Sequence, residues 1–277
     1  MRLQSYLFFA VFLVMALPLD CAAQGEEPRY VTGNSRECSV GGLVLRPMTQ
    51  AEPDMPESTT LHVLRQDREF MEPMESWMMD AEIIGPDADV PWPGCAMIMA
   101  STYTGGAHCC FEELLLVSCE WGELAARVYL ANSTMGELTE MDGKTVMALD
   151  DWGFAYYSVP TDDPGQELFL PFAASPAMTR FLVLEPRGIR LDLPGEFRDF
   201  HMQQWQEFAG GGGNANAADA LTAAYHAYMA TGDPAVVRQE LQRSLPEDWM
   251  AGIDTMSQDV VYIADRFFPV ESHFFPK

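Results

Sequence analysis

The chain has 277 residues, 48% of them hydrophobic and 11% aromatic, which excludes a wholly disordered protein and leaves room for one or two domains with a sizeable core. Its 41 acidic residues against 16 basic ones give a formal net charge of −25. Such a surface repels phosphate backbones and anionic headgroups, so nucleic acid and membrane surfaces are excluded as partner classes; solubility, cations and basic partners remain.

At the amino terminus, Met1-Arg2, the apolar run Tyr6 to Ala16 and then Leu17-Pro18-Leu19-Asp20-Cys21-Ala22-Ala23 predict a signal peptide over residues 1–23, cleaved after Ala23. The competing reading is a transmembrane anchor, which needs roughly 20 apolar residues, about twice what this run supplies. Asp20 stands before Cys21 where a lipid-attachment site takes a small residue, so lipidation is not expected. No later segment is long and apolar enough to span a bilayer. The expectation is an exported protein, periplasmic or extracellular, soluble after signal cleavage and without a membrane anchor.

Alternation predicts strands at Gly42 to Arg46 and Thr59 to Leu64, separated by the turn-rich Pro53 to Ser58. Glu69 to Met79 is rich in methionine and aromatic residues, a composition that serves irregular core filling or, alternatively, copper or adaptable partners. Asp80 to Ile84 reads as a strand ending at Gly85-Pro86, and Pro91-Trp92-Pro93 as an irregular connection. Between them Asp87 and Asp89 could begin a calcium loop, but a third oxygen ligand, a glycine and a distal acid are not in place.

Cys95 to Tyr103 and Phe111 to Cys119 are two β-like runs around a loop of glycines, a histidine and adjacent cysteines. Leu114, Leu115, Leu116 and Val117 in succession make the second run an interior strand buried on both faces. Leu124 to Leu130 follows as a strand, and Asp142-Gly143 turns Glu137 to Met141 into Thr145 to Leu149. In the next segment Trp152, Phe154 and Tyr156 alternate onto one face, where they either pack under a sheet or line a ligand groove; Trp152 and Tyr156 are binding candidates. Pro160 to Gly165 is a loop, and Glu167 to Leu170 and Arg180 to Leu184 complete the β-rich part.

From Pro194 the apolar period becomes helical, at Phe197, Phe200, His201, Trp205 and Phe208. A glycine-rich linker at residues 209–216 precedes a helix over Ala217 to Met229 that ends at Gly232. Asp233-Pro234 is an N-cap with proline at the first helical position, opening a helix to about Arg243, and a further helix reaches about Phe268. His226 reads as a packing residue. The predicted organisation is a β-rich domain over residues 24–193, mainly antiparallel sheets in a sandwich or partial propeller-like arrangement, with a C-terminal α-helical region over residues 194–277.

Gly105-Gly106 makes the loop between the two runs tight and able to present bare amides to an anion, or simply to reverse the chain. Signal cleavage leaves Cys38, Cys95, Cys109, Cys110 and Cys119, in a compartment that favours disulfides. A hairpin centred on Ala107 places Cys95 opposite Cys119, which predicts a cross-strand disulfide. Cys110 cannot reach Cys119, because nine residues of strand span roughly 30 Å and a bridge needs Cα atoms within about 7 Å. Cys109 and Cys110 either close a vicinal bond or pair one of their number with Cys38.

In an extended strand His108 and Cys110 share a face and Cys109 points away, so zinc or copper there would need ligands from elsewhere. A thiol nucleophile at Cys110 with His108 as base lacks the spatial pairing such sites use, and no Gly-x-Ser-x-Gly is present. Glu112 and Glu113 point to opposite faces of their strand and make a poor acid and base pair.

Tyr103-Thr-Gly-Gly-Ala-His-Cys-Cys110 resembles the Tyr-Ser-Gly-Gly-Ala-His-Cys-Cys pattern of a group of uncharacterised exported bacterial proteins, which are loosely similar to integrin-like propeller-repeat proteins. Asp142-Gly143 and Asp150-Asp-Trp-Gly-Phe-Ala-Tyr-Tyr157 resemble a second block of that group, in the same order. The resemblance implies a family without an activity, and the aspartate-rich turns of those relatives are replaced here by Asp87-Ala-Asp-Val-Pro91 and Glu140-Met-Asp-Gly143. The function expected is a non-catalytic binding or interaction protein of the cell envelope, with a protein or small ligand as partner and no cofactor. The alternative is a thiol- or metal-dependent enzyme centred on His108, Cys109 and Cys110.

Overall fold

The computed structural model describes residues 29–31, 37–50, 58–76, 78–84, 94–103, 111–131, 135–160, 165–185, 187–209, 216–266 and 270–277. The predicted signal peptide, Asp87 and Asp89, and the loop carrying Gly105, Gly106, His108, Cys109 and Cys110 lie outside the described residues.

Three antiparallel sheets stack face to face. The first strand, β1 (Arg29–Val31), belongs to the central sheet, whereas β2 (Cys38–Val40), β3 (Leu43–Gln50), β4 (Ser58–Arg65), β5 (Arg68–Glu69) and β6 (Met74–Ser76) form an outer sheet in which β5 and β6 both pair with β4. The chain then runs through β7 (Met78–Ile84), β8 (Ala96–Tyr103), β9 (Phe111–Cys119) and β10 (Gly122–Ala131), four consecutive neighbours of the central sheet. A third sheet is made by β11 (Met135–Met141), β12 (Lys144–Asp151), β15 (Met178–Glu185) and β16 (Gly188–Leu191), and a separate ribbon by β13 (Ser158–Pro160) and β14 (Glu167–Phe169).

Period-2 alternation explains the stacking, because each strand of the central sheet sends alternate residues to opposite layers. Ile98, Ala100, Leu114, Leu116 and Ala125 pack with Val40, Leu43, Leu45, Leu61 and Val63 of the outer sheet. Met97, Met99, Leu115, Val117, Leu124 and Ala126 pack with Met147, Leu149, Leu182 and Leu184 of the third sheet. With a layer on each side, β9 is buried along almost its whole length, as the leucine run predicts. Met71 and Met74 sit inside the first of these cores, so these two methionines fill space between sheets.

The helical region holds α1 (Arg198–Ala209), α2 (Ala217–Thr231), α3 (Pro234–Ser244) and α4 (Ile253–Asp265), the last preceded by a 3-10 turn at Glu247–Gly252. Asn216 caps α2 by accepting from the Asp219 amide, and Gly232, at φ +68°, ends it. Asp233 accepts from the Ala235 amide at the start of α3, with Pro234 in the first turn. From Ala220 to Ala230 every residue of α2 is buried, which makes it the axis of the helical core. A final strand, β17 (Val270–Pro276), leaves the helices and pairs along β10 at the edge of the central sheet, so the predicted helical region ends in a strand.

Candidate functional site

The β8–β9 hairpin has the predicted register, with Ala96 opposite Ser118 and Tyr103 opposite Phe111, and Cys95 and Cys119 are joined by a disulfide. Cys38 is also disulfide-bonded. Among the described residues no three histidine, cysteine or acidic side chains are grouped as metal ligands.

Of the sequence candidates within the described residues, Trp152 and Tyr156 are brought together, but not as a strand face. β12 ends at Asp151, which pairs with Met178 of β15, and the described residues between them, 152–160 and 165–177, lie outside the third sheet as an excursion. Two consecutive turns close it at the start, where the Ala155 amide donates to the Trp152 carbonyl at 2.9 Å and the Tyr157 amide to the Phe154 carbonyl at 3.2 Å. Phe154 is therefore fully buried in the helical core rather than aligned with its neighbours, which corrects the expected three-residue aromatic row.

The excursion has an inner and an outer side. Phe154, Val159 and Leu170 are buried against α2 and α4 residues such as Leu221, Tyr225 and Val260. Two glycines permit the approach: a Cβ on Gly153 would stand 2.6 Å from Ile263, and one on Gly252 would stand 2.9 Å from Val159. The Tyr157 hydroxyl donates to Asp259 at 2.7 Å, and burial together with that carboxylate raises its pKa.

On the outer side Trp152 stacks on Phe172 with centroids 4.6 Å apart and planes 15° from parallel, and Tyr156 lies 5.7 Å from Phe172 and 6.4 Å from Phe169. Tyr156 is 49% and Phe169 52% exposed, so the excursion presents an aromatic platform on an anchored base. Tyr156 holds a left-handed backbone at φ +57°, a conformation that costs a non-glycine residue roughly 1–2 kcal/mol and that the surrounding turns impose. Sequence reading missed Phe169 and Phe172; their signal was the Phe169-Leu-Pro-Phe172 run, two aromatic residues set closely about a proline.

Behind the platform lies a buried polar network that the sequence did not predict. Arg180 is 2% exposed and donates from Nε to Asp192 Oδ1 at 3.3 Å, from Nη2 to the Asp192 carbonyl at 3.3 Å and from Nη1 to the Arg266 carbonyl at 3.0 Å. Arg266 in turn pairs with Asp151 Oδ1, which also accepts the Gly153 amide at 2.8 Å. A continuous set of contacts thus runs from Arg180 to the first turn of the excursion. Burial opposes the Arg180 charge, and the acidic groups of Asp192 and Asp151 around it support it.

Asp192 Oδ2 lies 3.4 Å from His201 Nε2, and His201 Nδ1 lies 2.9 Å from His226 Nδ1. Two ring nitrogens at that distance share one proton, so one imidazole donates and the other accepts. Burial, and then His201, lower the His226 pKa to about 3, which keeps that ring neutral at physiological pH. Tyr225 is fully buried and its pKa is raised by burial. Asp151 Oδ2, Asp192 Oδ2, His201 Nε2 and the Tyr225 hydroxyl have no hydrogen-bond partner among the described residues. Buried except at Arg266, which is 27% exposed, the network holds the third sheet, α1, α2 and the chain after α4 together. The sequence signal for it was His201 and His226, each set among aromatic residues on a helix.

Glu113 and Glu112 do face opposite ways. Glu112 pairs with Arg127 at 2.6 Å, whereas Glu113 accepts from the Ser101 hydroxyl at 2.7 Å beside a cavity of about 10 Å³ lined by Met99, Val128, Met147, Leu182 and Ile189. That volume has room at most for one water. Burial raises the Glu113 pKa to about 8 against the weaker pull of Ser101, so the carboxyl is mostly protonated at neutral pH.

Comparison with protein-family models, with curated proteins and with solved structures returned no match.

Proposed function

We propose that this chain is an exported, non-catalytic binding protein of the cell envelope, and that Trp152, Tyr156, Phe169 and Phe172 contact its ligand. The observation that carries the reading is the platform itself: large aromatic rings, two of them about half exposed, on an excursion anchored by buried residues. Binding surfaces concentrate such rigid aromatic side chains, and loops held by a rigid scaffold carry function more often than regular elements do. The signal-like amino terminus, the resemblance to exported bacterial proteins and the Cys95–Cys119 disulfide support export into an oxidising compartment.

The test is site-specific photo-cross-linking in cells, with benzoylphenylalanine at position 169 or, as a control, at position 121, where Trp121 stacks on Phe274 away from the platform. A discrete adduct from position 169 that is absent from position 121 is the expected result. No adduct at 169, or the same adducts from both positions, overturns the reading.

A further inference from the structure

Resting on the binding reading above, we infer that the aromatic platform receives arginine side chains from a basic protein segment. The first argument is charge. Asp150 and Glu167 are exposed, Asp151 is spent on Arg266 beneath the first turn, and residues 145–179 contain not one lysine, arginine or histidine, in a chain of formal charge −25. A cationic partner is drawn toward this segment, and an anionic one is repelled.

The second argument is ring geometry. Trp152 and Phe172 stack within 15° of parallel and Tyr156 and Phe169 within 20°, so each pair covers the faces between its rings, and the half-exposed Tyr156 and Phe169 are what remains for a partner to stack on. A guanidinium is planar and weakly hydrated, stacks on such faces and keeps its charge at every physiological pH; an ammonium is compact and strongly hydrated and gains less from the same surface. Cation–ring contacts occur inside the protein as well, with the Arg65 guanidinium 4.4 Å from the Phe275 ring centroid, that of Arg187 5.6 Å from Phe274 and the Lys144 ammonium 5.9 Å from Phe197.

The third argument is preorganisation. Tyr156 is locked in its left-handed conformation by turns that Asp151 and Arg266 pin from below, so presenting its ring costs no ordering when a partner arrives. A polypeptide fits better than a free cation because the rings spread over several residues' width and can take successive side chains.

Calorimetric titration of the full oxidised protein tests this with three blocked ten-residue peptides in which serine alternates with arginine, lysine or glutamate. The arginine peptide should bind, the lysine peptide more weakly, and the glutamate peptide not at all. Phe169→Ala and Tyr156→Gly should each weaken arginine-peptide binding about tenfold, while Trp121→Ala leaves it unchanged. Glycine suits the backbone at 156, and Phe169 is half exposed, so either variant decides the matter if the other fails to fold.

Equal binding of the arginine and lysine peptides, unaffected by both platform variants, would mean attraction by net charge alone and overturns the inference. Absence of arginine-peptide binding, alongside a persistent cross-link at position 169, overturns the partner class and leaves the binding reading standing. Loss of both removes both.

Discussion

The central sheet and the junction between the third sheet and the helices both bury ionisable side chains, and they handle the cost differently. Glu113 sits in an apolar layer with one hydroxyl for company, and the protein accommodates it by keeping its proton. Asp151, Asp192 and Arg180 are buried as deeply, yet opposite charges and backbone carbonyls meet there. A lone buried carboxyl is neutralised by its surroundings, whereas a set of complementary groups satisfies itself by pairing and becomes a fastening.

Removing the fastening should have the largest effect. Arg180→Met leaves Asp192 buried without its guanidinium partner and frees the Arg266 carbonyl, so a loss of about 3–5 kcal/mol is expected in denaturant unfolding. Because Arg266 holds Asp151 under Gly153, binding at the platform should fall in the same variant at temperatures where it remains folded.

The Glu113 side of the comparison is sharpened by pH. Its folded pKa of about 8 stands above the ordinary 4.5, so the unfolded chain releases this proton first and folding must take it up. The stabilising contribution is fully present below about pH 4.5 and is lost as pH rises toward about 8, by up to about 1.4 kcal/mol per unit. Glu113→Gln should flatten that slope, matching or falling below the parent near pH 4.5 and surpassing it at pH 8. Parallel stability curves for the two proteins over this range would show that Glu113 is ionised in the fold.

Two smaller effects separate the sheets from the helices. Replacing Cys95 and Cys119 with serine opens a covalent link across 24 residues and should cost about 3 kcal/mol, the loop entropy of a bridge that size. Asn216→Ala removes the side-chain acceptor for the Asp219 amide and should cost about 1 kcal/mol. Calorimetry on each variant checks both, and a single transition that shifts as a whole in either variant, with calorimetric and van't Hoff enthalpies in agreement, shows that the sheet stack and the helical core unfold as one unit.

Elements with local causes were legible in the sequence. The β8–β9 register followed from counting residues about Ala107, the α2 and α3 limits from the end of the glycine-rich linker, Gly232 and Asp233-Pro234, and the buried character of β9 from its leucine run. What was hidden depends on contacts between distant segments. The excursion after Asp151 carries the alternation of Trp152, Phe154 and Tyr156 in its sequence, but two sequential turns replace the strand and send Phe154 inward while Trp152 and Tyr156 stay on the outer side. The Arg180 network draws on β12, β15, the end of β16, α1, α2 and the chain after α4, so no window of sequence contains more than one or two of its members. β17 was likewise illegible, because its seven residues form a strand by docking on β10.

That last strand also sets a clock. Pro276 pairs with Gly122 and Val270 with Val128, and Lys277 reaches back to the Cys119 carbonyl at 2.6 Å. When the chain is fed in from its amino end, by a ribosome or through a pore, β10 keeps an open edge until residues 270–276 have appeared. An unfilled edge is sticky toward other chains, and pairing so distant in sequence forms slowly. Until that segment has emerged and docked, the central sheet stays unfinished along β10, threadable but vulnerable.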